Sequence, residues 1–339
     1  MLAVKPENIK RILVIRLKGL GDVVQTMPLL SALNHYYPHI KLAFLTQKAF
    51  APICKNLSFP MKVFNLEHEN KGFFAMLKLV KKIRAFKPEL VIDLFGNPRT
   101  AILSLFSGAK YRFGFDYRGR RFFYNIRRKI KDPDLHIREL FHRVVQELGF
   151  SKIPLWKVEL SLCKEALQAL KRVQENSSPG VIGINPNAAY QAKRWLLPYF
   201  KELIALLLKY GFRVALLSGP GEEEYTGKVF QDFADNPRMQ WYKNPSILEC
   251  MGILKSFALF VTNDSGPMHL AMAVGTPVYV FFGPTNPHAN GPLNPEDLVF
   301  RAEELPCLVC HLEYCSHRNC MAQLHPGVVF DKIQQTFLP

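Results

Sequence analysis

Residues 258–284 read ALFVTNDSGPMHLAMAVGTPVYVFFGP. The segment predicts an apolar strand at 258–261, a polar turn, a helix with Pro267 at its first position, and a second apolar strand at 278–282. Such a unit aims free backbone N–H groups and the positive end of the helix dipole at one point, which suits a phosphate. Asp264 adds a carboxylate where open α/β sheets bind ligands. An ordinary βαβ unit with a well-capped helix is the alternative interpretation.

The positive charge of the chain is concentrated in its first half. Residues 1–150 hold 27 Lys and Arg against 11 Asp and Glu, whereas residues 151–339 hold 17 of each. The formal net charge of +16 therefore belongs to the first half. This asymmetry indicates an anionic partner, which is a nucleic acid, an anionic lipid, or a phosphorylated or carboxylated substrate.

Strand and helix patterns alternate along most of the chain. The segments at 11–17, 41–45, 61–66 and 89–94 predict strands, and those at 22–36 and 72–86 predict helices. The alternation restarts at 181–185 after a candidate linker at 176–180. We therefore expect an α/β chain of two Rossmann-like domains with mostly parallel sheets that face a central cleft. The predicted domains are 1–175 and 176–325, followed by a C-terminal helix at 326–339 that packs back on the first domain.

No targeting or membrane-spanning segment is predicted. Lys5, Glu7, Lys10 and Arg11 interrupt the apolar stretch that a secretory signal needs. Residues 265–295 lack charged side chains, but Gly–Pro pairs divide them into pieces too short to cross a bilayer. We expect a cytoplasmic protein.

A glycine loop links the first predicted strand and helix, reading Lys18-Gly-Leu-Gly-Asp22. Its glycines, including Gly21, let the backbone approach a ligand closely. Asp22 at the start of the helix is either a functional carboxylate or a helix cap worth about 1 kcal/mol. A nicotinamide dinucleotide site is disfavoured because the third glycine of the fingerprint is missing from its place.

Four blocks together carry a family resemblance. They read ILVIRLKGLGDVVQTMPLLSAL (12–33), NPNAAYQAKRWLLPYFKELI (185–204), LLSGPGEEE (216–224) and FVTNDSGPMHLAMAVGTPVYVFFGPTNP (260–287). In this order and spacing they resemble the bacterial ADP-heptose:lipopolysaccharide heptosyltransferases of glycosyltransferase family 9. The AKRW segment and the cysteine-rich tail resemble the heptosyltransferase II type.

The resemblance implies a GT-B fold and an inverting transfer without a metal or other cofactor. It implies that Asp22 is the general base for the acceptor hydroxyl, since a single displacement needs only one base. The donor would be ADP-heptose, bound by the C-terminal domain. The acceptor would be Kdo-lipid A or a heptosylated core, bound by the N-terminal domain at the cytoplasmic face of the inner membrane.

Several donor-site residues follow from the matched blocks. Lys193 matches a lysine that contacts the donor phosphates, with a solvated charge before a helix as the alternative. The helix start at Ser265, Gly266, Met268 and His269 matches the diphosphate site, and Asp264 matches a carboxylate that recognises the donor. Glu223 is the nearest match for a carboxylate on the ribose, although the helix dipole alone also favours glutamates there. Asn187 is the one polar side chain in a segment that is often rich in Thr or Ser in the family.

The basic stretch at 118–129 has two interpretations. Arg118, Arg120 and Arg121 lie directly before Phe122, Phe123 and Tyr124, and arginines interleaved with aromatic residues suit RNA bases. The same arginines suit an acceptor that carries lipid phosphates and sugar carboxylates. No RNA-binding motif accompanies the stretch, so a nucleic-acid partner is not expected.

Four cysteines lie close together near the C-terminus. Cys307, Cys310, Cys315 and Cys320 follow the spacing C-x2-C-x4-C-x4-C, which matches no standard zinc ribbon. We expect these cysteines to be reduced and to pack against neighbouring side chains. A structural zinc site is the less favoured alternative.

Overall fold

The computed structural model describes residues 4–66, 72–116, 119–129, 132, 134–155, 159–176 and 180–337. The chain forms two compact units, Met1–Ser161 and Leu162–Pro339. Each unit contains one six-stranded sheet in which every neighbouring pair of strands is parallel. The predicted pair of Rossmann-like α/β sheets is thereby confirmed.

The first unit contains β1 (Arg11–Ile15), α1 (Leu20–Tyr36), β2 (Lys41–Gln47), β3 (Lys62–Leu66), α2 (Phe73–Phe86), β4 (Leu90–Asp93), α3 (Pro98–Phe106), β5 (Tyr111–Phe115), β6 (Ile126–Arg128) and α4 (Ile137–Glu147). Short 3₁₀ turns lie at Pro6–Asn8, Ala51–Asn56 and Arg120–Phe123. The strand order is β3-β2-β1-β4-β5-β6.

The second unit contains α5 (Lys164–Asn176), β7 (Val181–Asn185), α6 (Leu197–Lys209), β8 (Arg213–Ser218), α7 (Glu223–Phe230), β9 (Met239–Lys243), α8 (Ile247–Ser256), β10 (Leu259–Asn263), α9 (Gly266–Ala273), β11 (Val278–Phe281), α10 (Pro287–Asn290), β12 (Leu298–Phe300), α11 (Asn319–Ala322) and α12 (Pro326–Phe337). Further 3₁₀ turns lie at Gln191–Lys193 and Gln231–Phe233. The strand order is β12-β11-β10-β7-β8-β9.

The two sheets share one topology. In each unit, the first strand lies between the second and the fourth, so the order reverses between β1 and β4 and again between β7 and β10. Helices on the two sides of such a reversal leave a crevice at the carboxyl ends of the strands, where α/β proteins bind ligands. The loops that follow β1, β4, β7 and β10 are therefore expected to bind ligands.

The central strands form the core because both of their faces are covered. The middle residues of β1, β7 and β10 are fully buried, as their continuous apolar runs predict. In the second unit Trp195 stacks on Phe281 with ring centroids 4.2 Å apart and is itself fully buried. The indole N–H of Trp195 donates to the carbonyl oxygen of Leu324, which ties the C-terminal segment to this core.

The division between the units differs from the boundary expected at residue 175. Helix α5 belongs to the second unit because it packs closely against α8. A Cβ atom on Gly252 of α8 would meet the backbone carbonyl of Ala166 and approach Leu170 N to 2.8 Å, so glycine permits this close packing. Residues 177–179 of the candidate linker lie outside the described residues.

The C-terminal helix α12 packs on α6 of the second unit. Its buried residues Val329, Phe330 and Ile333 join the hydrophobic core that contains Trp195. Among the described residues, no helix combines the length and the apolar character needed to span a bilayer.

Candidate functional site

A lysine and a carboxylate meet at the carboxyl ends of β7 and β10. Lys193 Nζ lies 2.6 Å from Asp264 Oδ2, and only 18% of the lysine side chain and 9% of the aspartate side chain are exposed. The hydroxyl of Thr285 donates to the same carboxylate oxygen at 2.7 Å. The ammonium of Lys193 also lies 5.7 Å from the ring centroid of Tyr190. Two residues that the sequence places 71 positions apart are thus joined beside the start of α9.

Asn263 holds the two loops in this arrangement. Its side-chain oxygen accepts a hydrogen bond from the backbone N–H of Trp195 at 2.8 Å. Its side-chain nitrogen donates to the carbonyl oxygens of Pro186 and Asn187 at 3.0 and 3.1 Å. Because Asn263 is fully buried, these bonds fix the position of the Lys193 loop relative to Asp264. Sequence reasoning did not single out Asn263 or Thr285, although both lie in the quoted 260–287 block.

Helix α9 begins beside the Lys193–Asp264 pair. Ser265 is its N-cap residue and the helix begins at Gly266, so Pro267 is the second helical residue, one position later than the sequence predicts. Among the described residues, no side chain caps the helix, and the Ser265 hydroxyl lies 3.3 Å from the Thr262 hydroxyl instead. Met268 and His269 are buried. The first turn of α9 therefore offers backbone N–H groups, including that of Gly266, for an anion.

The glutamates after β8 have different surroundings. Glu222 Oε2 accepts a hydrogen bond from the Gly219 N–H at 2.7 Å. Burial raises the pKa of the Glu222 carboxyl, while the Gly219 N–H and the charge of Arg194 act in the opposite direction. Glu223 instead accepts a hydrogen bond from the side chain of Asn244 at the surface. The carboxylate nearer to the Lys193 loop is thus Glu222, one position before the residue that the sequence favoured.

Arg194 connects this turn to the Lys193 loop. Its guanidinium carbon lies 4.8 Å from the ring centroid of Tyr225, and its Nε donates to the carbonyl oxygen of Ala188 at 2.9 Å. Arg318 from the cysteine-rich segment donates to the carbonyl oxygen of Arg194 at 3.4 Å. Two arginines therefore lie beside the Glu222 turn.

The side chain of Asn187 forms hydrogen bonds to other side chains of the protein. Its side-chain nitrogen donates to Thr226 Oγ1 at 2.8 Å and to Asn185 Oδ1 at 3.0 Å. These bonds link the loop after β7 to α7. Asn187 Oδ1 is buried and, within the described part of the chain, has no hydrogen-bond partner.

In the first unit, Asp22 lies in the first turn of α1 and pairs with Arg16. The distance between Asp22 Oδ2 and Arg16 Nη2 is 2.6 Å, and 35% of the aspartate side chain is exposed. The preceding Gly19 has φ of +88°, and a Cβ atom there would collide with the Asp22 carboxylate. Gly21 is buried in the same turn. The glycines thus allow the carboxylate to lie against its own loop, where Arg16 and solvent both reach it.

Arg16 also contacts the loop that follows β4. It donates to the carbonyl oxygen of Leu94, and its guanidinium carbon lies 5.6 Å from the ring centroid of Phe95. The neighbouring Asp93 is fully buried and accepts hydrogen bonds from the Phe95 and Gly96 N–H groups and, at 2.7 Å, from the Tyr124 hydroxyl. Burial raises the pKa of Asp93. Sequence reasoning missed Arg16, Asp93 and Tyr124.

The basic stretch lies partly outside the described residues, since Arg118 is not among them. Arg120 donates to the carbonyl oxygen of Gly96, which places it beside the loop after β4. Arg121 belongs to the 3₁₀ turn Arg120–Phe123. The arginines predicted to bind the acceptor therefore belong to the segment that also supplies Tyr124.

The cysteine-rich segment packs against the Lys193 loop. The N–H of Ala192 donates to the carbonyl oxygen of Glu313, and the N–H of Cys315 donates to Gln191 Oε1, both at 3.1 Å. Burial raises the pKa of the Cys320 thiol, and Cys307, Cys310 and Cys315 raise it further. Within the described ranges, no three His, Cys, Asp or Glu side chains are arranged to hold a metal ion.

A cavity of about 430 Å³ lies between α5, β9 and α8. Its lining includes Arg172, Trp241, Lys243 and Asn244. Asn244 is the partner of Glu223, so the cavity borders the Glu223 side of the turn after β8. The Lys193–Asp264 pair is not among its described lining residues.

Comparison with known proteins identifies relatives over most of the chain. The model of glycosyltransferase family 9 (heptosyltransferase) matches residues 76–321. The lipopolysaccharide core heptosyltransferase OpsX of Haemophilus influenzae is 24% identical over 304 residues, which cover 87% of this chain and 85% of the relative. The lipooligosaccharide heptosyltransferase 2 of Campylobacter jejuni is 25% identical over 334 residues, covering 94% of this chain and 97% of the relative.

The fold agrees with these sequence matches. The structure of E. coli ADP-heptose lps heptosyltransferase II superposes with a TM-score of 0.80 at 20% identity. The superposition covers 96% of this chain and 98% of the other. The fold expected from the four sequence blocks is thereby confirmed.

Proposed function

Because the chain belongs to glycosyltransferase family 9, the heptosyltransferases, we propose that it transfers L-glycero-D-manno-heptose from ADP-heptose to the inner core of lipopolysaccharide. The names of its relatives support this donor and this acceptor. The observation that carries the proposal is the largely buried pair of Lys193 and Asp264 beside the start of α9, where no described side chain caps the helix.

The donor diphosphate binds at the start of α9. Backbone N–H groups around Ser265, Gly266 and Met268 face the phosphates, and the helix dipole favours their negative charge. Lys193 supplies a full positive charge as the bond between the sugar and the diphosphate breaks. Asp264 holds Lys193 in place before the donor arrives and then recognises heptose hydroxyls.

The ribose of the donor is recognised by the glutamates that follow β8. Glu222 is favoured because its carboxylate is fixed by the Gly219 N–H beside Arg194. Glu223 is the alternative that the sequence match suggested. The two assignments predict different effects of Glu222→Gln and Glu223→Gln on the affinity for ADP-heptose.

Asp22 acts as the general base. Its carboxylate removes the proton of the acceptor hydroxyl while that oxygen attacks the anomeric carbon of the heptose. The bond from this carbon to the phosphate oxygen breaks in the same step, and ADP leaves with the electron pair. Arg16 orients the Asp22 carboxylate through the ion pair described above.

The acceptor is Kdo-lipid A or a heptosylated core, held by the first unit. Its phosphates and sugar carboxylates are matched by the basic segment that contains Arg118, Arg120 and Arg121. An acceptor of this kind is anchored in a bilayer, so the protein would work at the cytoplasmic face of the inner membrane as a peripheral enzyme.

Product analysis tests this proposal. The protein is incubated with ADP-heptose and with defined acceptors that end in Kdo or in heptose, and the products are identified by mass spectrometry and linkage analysis. We expect one added heptose on one of these acceptors. If another nucleotide sugar is used instead, or if ADP-heptose binds without transfer, the proposed reaction is wrong. Tight binding of short RNA without ADP-heptose binding would also contradict it.

A further inference from the structure

Two helices of the first unit expose large apolar side chains outward. On α2, Phe73 and Phe74 are 72% and 83% exposed, and Leu77 lies on the same outer face. On α3, Ile102, Leu105 and Phe106 are exposed at the i, i+3 and i+4 positions, which share one face of a helix. Apolar surface of this extent on a folded protein indicates an interaction site.

The exposed residues of the two helices form one surface. Leu79 and Ile83 of α2 and Leu103 of α3 lie in one core cluster against the sheet, so both helices cover the same face of that sheet. The two helices also contact each other. We call their outward side the α2–α3 face, and define it by Phe73, Phe74, Leu77, Lys78, Lys81, Lys82, Ile102, Leu105 and Phe106.

Within the two helices, the charged side chains have a single sign. Residues 72–87 contain five Lys and Arg and no Asp or Glu, and residues 98–110 contain two basic residues and no acidic one. Lys78, Lys81 and Lys82 are exposed on α2 in the turns that follow Phe73, Phe74 and Leu77. Aromatic and aliphatic side chains with interspersed lysines are typical of helices that lie in the interface of an anionic bilayer.

A second copy of the chain fits this surface poorly. A twofold interface would bring the same positively charged face of both copies together. Such juxtaposed like charges oppose association. An anionic lipid surface instead offers phosphates to the lysines and acyl chains to the phenylalanines.

We propose that the α2–α3 face docks the first unit on an anionic phospholipid bilayer, with Phe73 and Phe74 entering the boundary between headgroups and acyl chains. The inference rests on the proposed function in one respect, because a membrane-anchored acceptor explains why the enzyme needs a lipid surface. Helix α2 starts after the carboxyl end of β3, at the same edge of the sheet as Asp22. Docking through Phe73 and Phe74 therefore brings the edge that carries the general base toward the bilayer.

Vesicle binding by the full-length protein tests the proposal. Co-sedimentation is measured with vesicles of phosphatidylcholine alone and with vesicles that also contain phosphatidylglycerol. The variants are Phe73→Ser with Phe74→Ser, and Lys78→Gln with Lys81→Gln and Lys82→Gln. The control for the phenylalanine variant is Leu167→Ser with Val328→Ser, which changes two exposed apolar residues of the second unit. The control for the lysine variant is Lys5→Gln with Lys10→Gln and Lys41→Gln, which removes the same charge elsewhere in the first unit.

We expect the unmodified protein to prefer the anionic vesicles. The triple lysine variant should lose affinity by roughly 100-fold, since each lysine near an anionic surface contributes about fivefold. The double phenylalanine variant should lose about tenfold or more, and both controls should stay near the unmodified protein. Equal binding of all variants, or no preference for anionic lipid, would overturn the proposal. So would a concentration-dependent dimer that the face variants convert to monomer without any change in vesicle binding.

An activity measurement separates this inference from the proposed reaction. With a water-soluble, deacylated acceptor, transfer by the face variants should equal that of the unmodified protein, because no residue of the face touches a reacting group. If no protein transfers heptose while vesicle binding follows the α2–α3 face, the proposed reaction fails and the docking surface stands. If transfer occurs but the face variants bind vesicles normally, only the docking surface fails.

Discussion

The Arg16 guanidinium lies 2.6 Å from the Asp22 carboxylate in the first unit. Arg16 is the less exposed partner, with 14% of its side chain accessible. It is itself held by the Leu94 carbonyl oxygen and by the ring of Phe95. The proposed base is thus attached to a cation that the neighbouring loop fixes, which would hold its carboxylate in one orientation toward an acceptor hydroxyl.

Replacing Arg16 should slow the chemical step. In Arg16→Met, the Asp22 carboxylate loses its fixed partner, and misplacement of a catalytic group by about 1 Å costs roughly 100-fold in rate. We expect kcat to fall by that order, with the KM for ADP-heptose within about threefold, because the proposed donor residues lie in the other unit. Steady-state kinetics with both substrates varied measures the two constants. Lys10→Gln, which removes an exposed charge of the same unit, is the control, and an equal loss in both variants would show that orientation is not the cause.

Removing the Lys193 charge should weaken donor binding. In Lys193→Gln, the diphosphate loses a charge-assisted hydrogen bond worth about 1.5–3 kcal/mol, so affinity for ADP-heptose should fall by roughly 10- to 100-fold. Calorimetric titration measures it. Lys201→Gln is the matched control because Lys201 also forms a 2.6 Å ion pair in this unit, with Asp232. A similar loss in that variant, or unchanged affinity in Lys193→Gln, would contradict the assignment of Lys193.

Glu222 and Glu223, the two candidates for binding the ribose, lead to opposite predictions for the affinity for ADP-heptose. If Glu222 binds the ribose, Glu222→Gln should lower ADP-heptose affinity by roughly 10-fold or more, since a bond to a charged group is replaced by a neutral one. The glutamine can still accept the hydrogen bond of the Gly219 N–H. Glu223→Gln should change affinity by less than about twofold, as should Glu224→Gln, whose carboxylate pairs with Lys228 at the surface. The reverse order of effects would return the assignment to Glu223.

The sequence predicted the central strands and the edge strand β3, but it did not predict the short edge strands β6 and β12. Strands β1, β7 and β10 are buried on both faces, so their apolar runs are continuous and easy to recognise. Strands β6 and β12 have three residues each and partly exposed side chains, which leaves almost no periodic signal. The sequence does not predict helix α3, because Gly96-Asn97-Pro98 is typical of a turn. In the structure Asn97 is the N-cap of α3, it forms a capping box with Thr100, and Pro98 is among the first helical residues.

The site was predictable where its residues are local. The start of α9 and the placement of Asp22 at the start of α1 follow from short motifs, and the structure has both elements there. The partners of those residues were not predictable. Thr285 and Asn263 act through contacts that depend on which strands lie side by side, and so does the hydrogen bond that holds Arg16 to Leu94. No spacing in the sequence encodes that order.

The buried carboxyl of Asp93 predicts a pH dependence of stability. Burial raises the pKa of this group in the fold, so the folded chain holds the proton more tightly than the unfolded chain. Its contribution to stability is therefore present below the ordinary aspartate pKa of about 3.9 and is lost as pH rises through the raised value. Asp93→Asn removes the titration while keeping an oxygen that accepts from the Phe95 and Gly96 N–H groups.

We expect the free energy of unfolding of Asp93→Asn to increase relative to that of the unmodified protein as pH rises above the ordinary aspartate pKa of about 3.9. Urea unfolding at a series of pH values measures the difference. Asp331→Asn, at an exposed position of α12, should show no such trend. A difference between Asp93→Asn and the unmodified protein that stays constant or shrinks with pH would mean that the fold does not raise the pKa of Asp93.

The general base is tested most directly by Asp22→Asn. One measurement combines heptose transfer to a defined Kdo-lipid A or core acceptor with calorimetric binding of ADP-heptose to the same preparation. Because asparagine cannot accept the acceptor proton, transfer should fall by at least about 100-fold while the affinity for ADP-heptose stays within about twofold. Transfer at the rate of the unmodified protein, with binding equally intact, would contradict the account of Asp22 as the base.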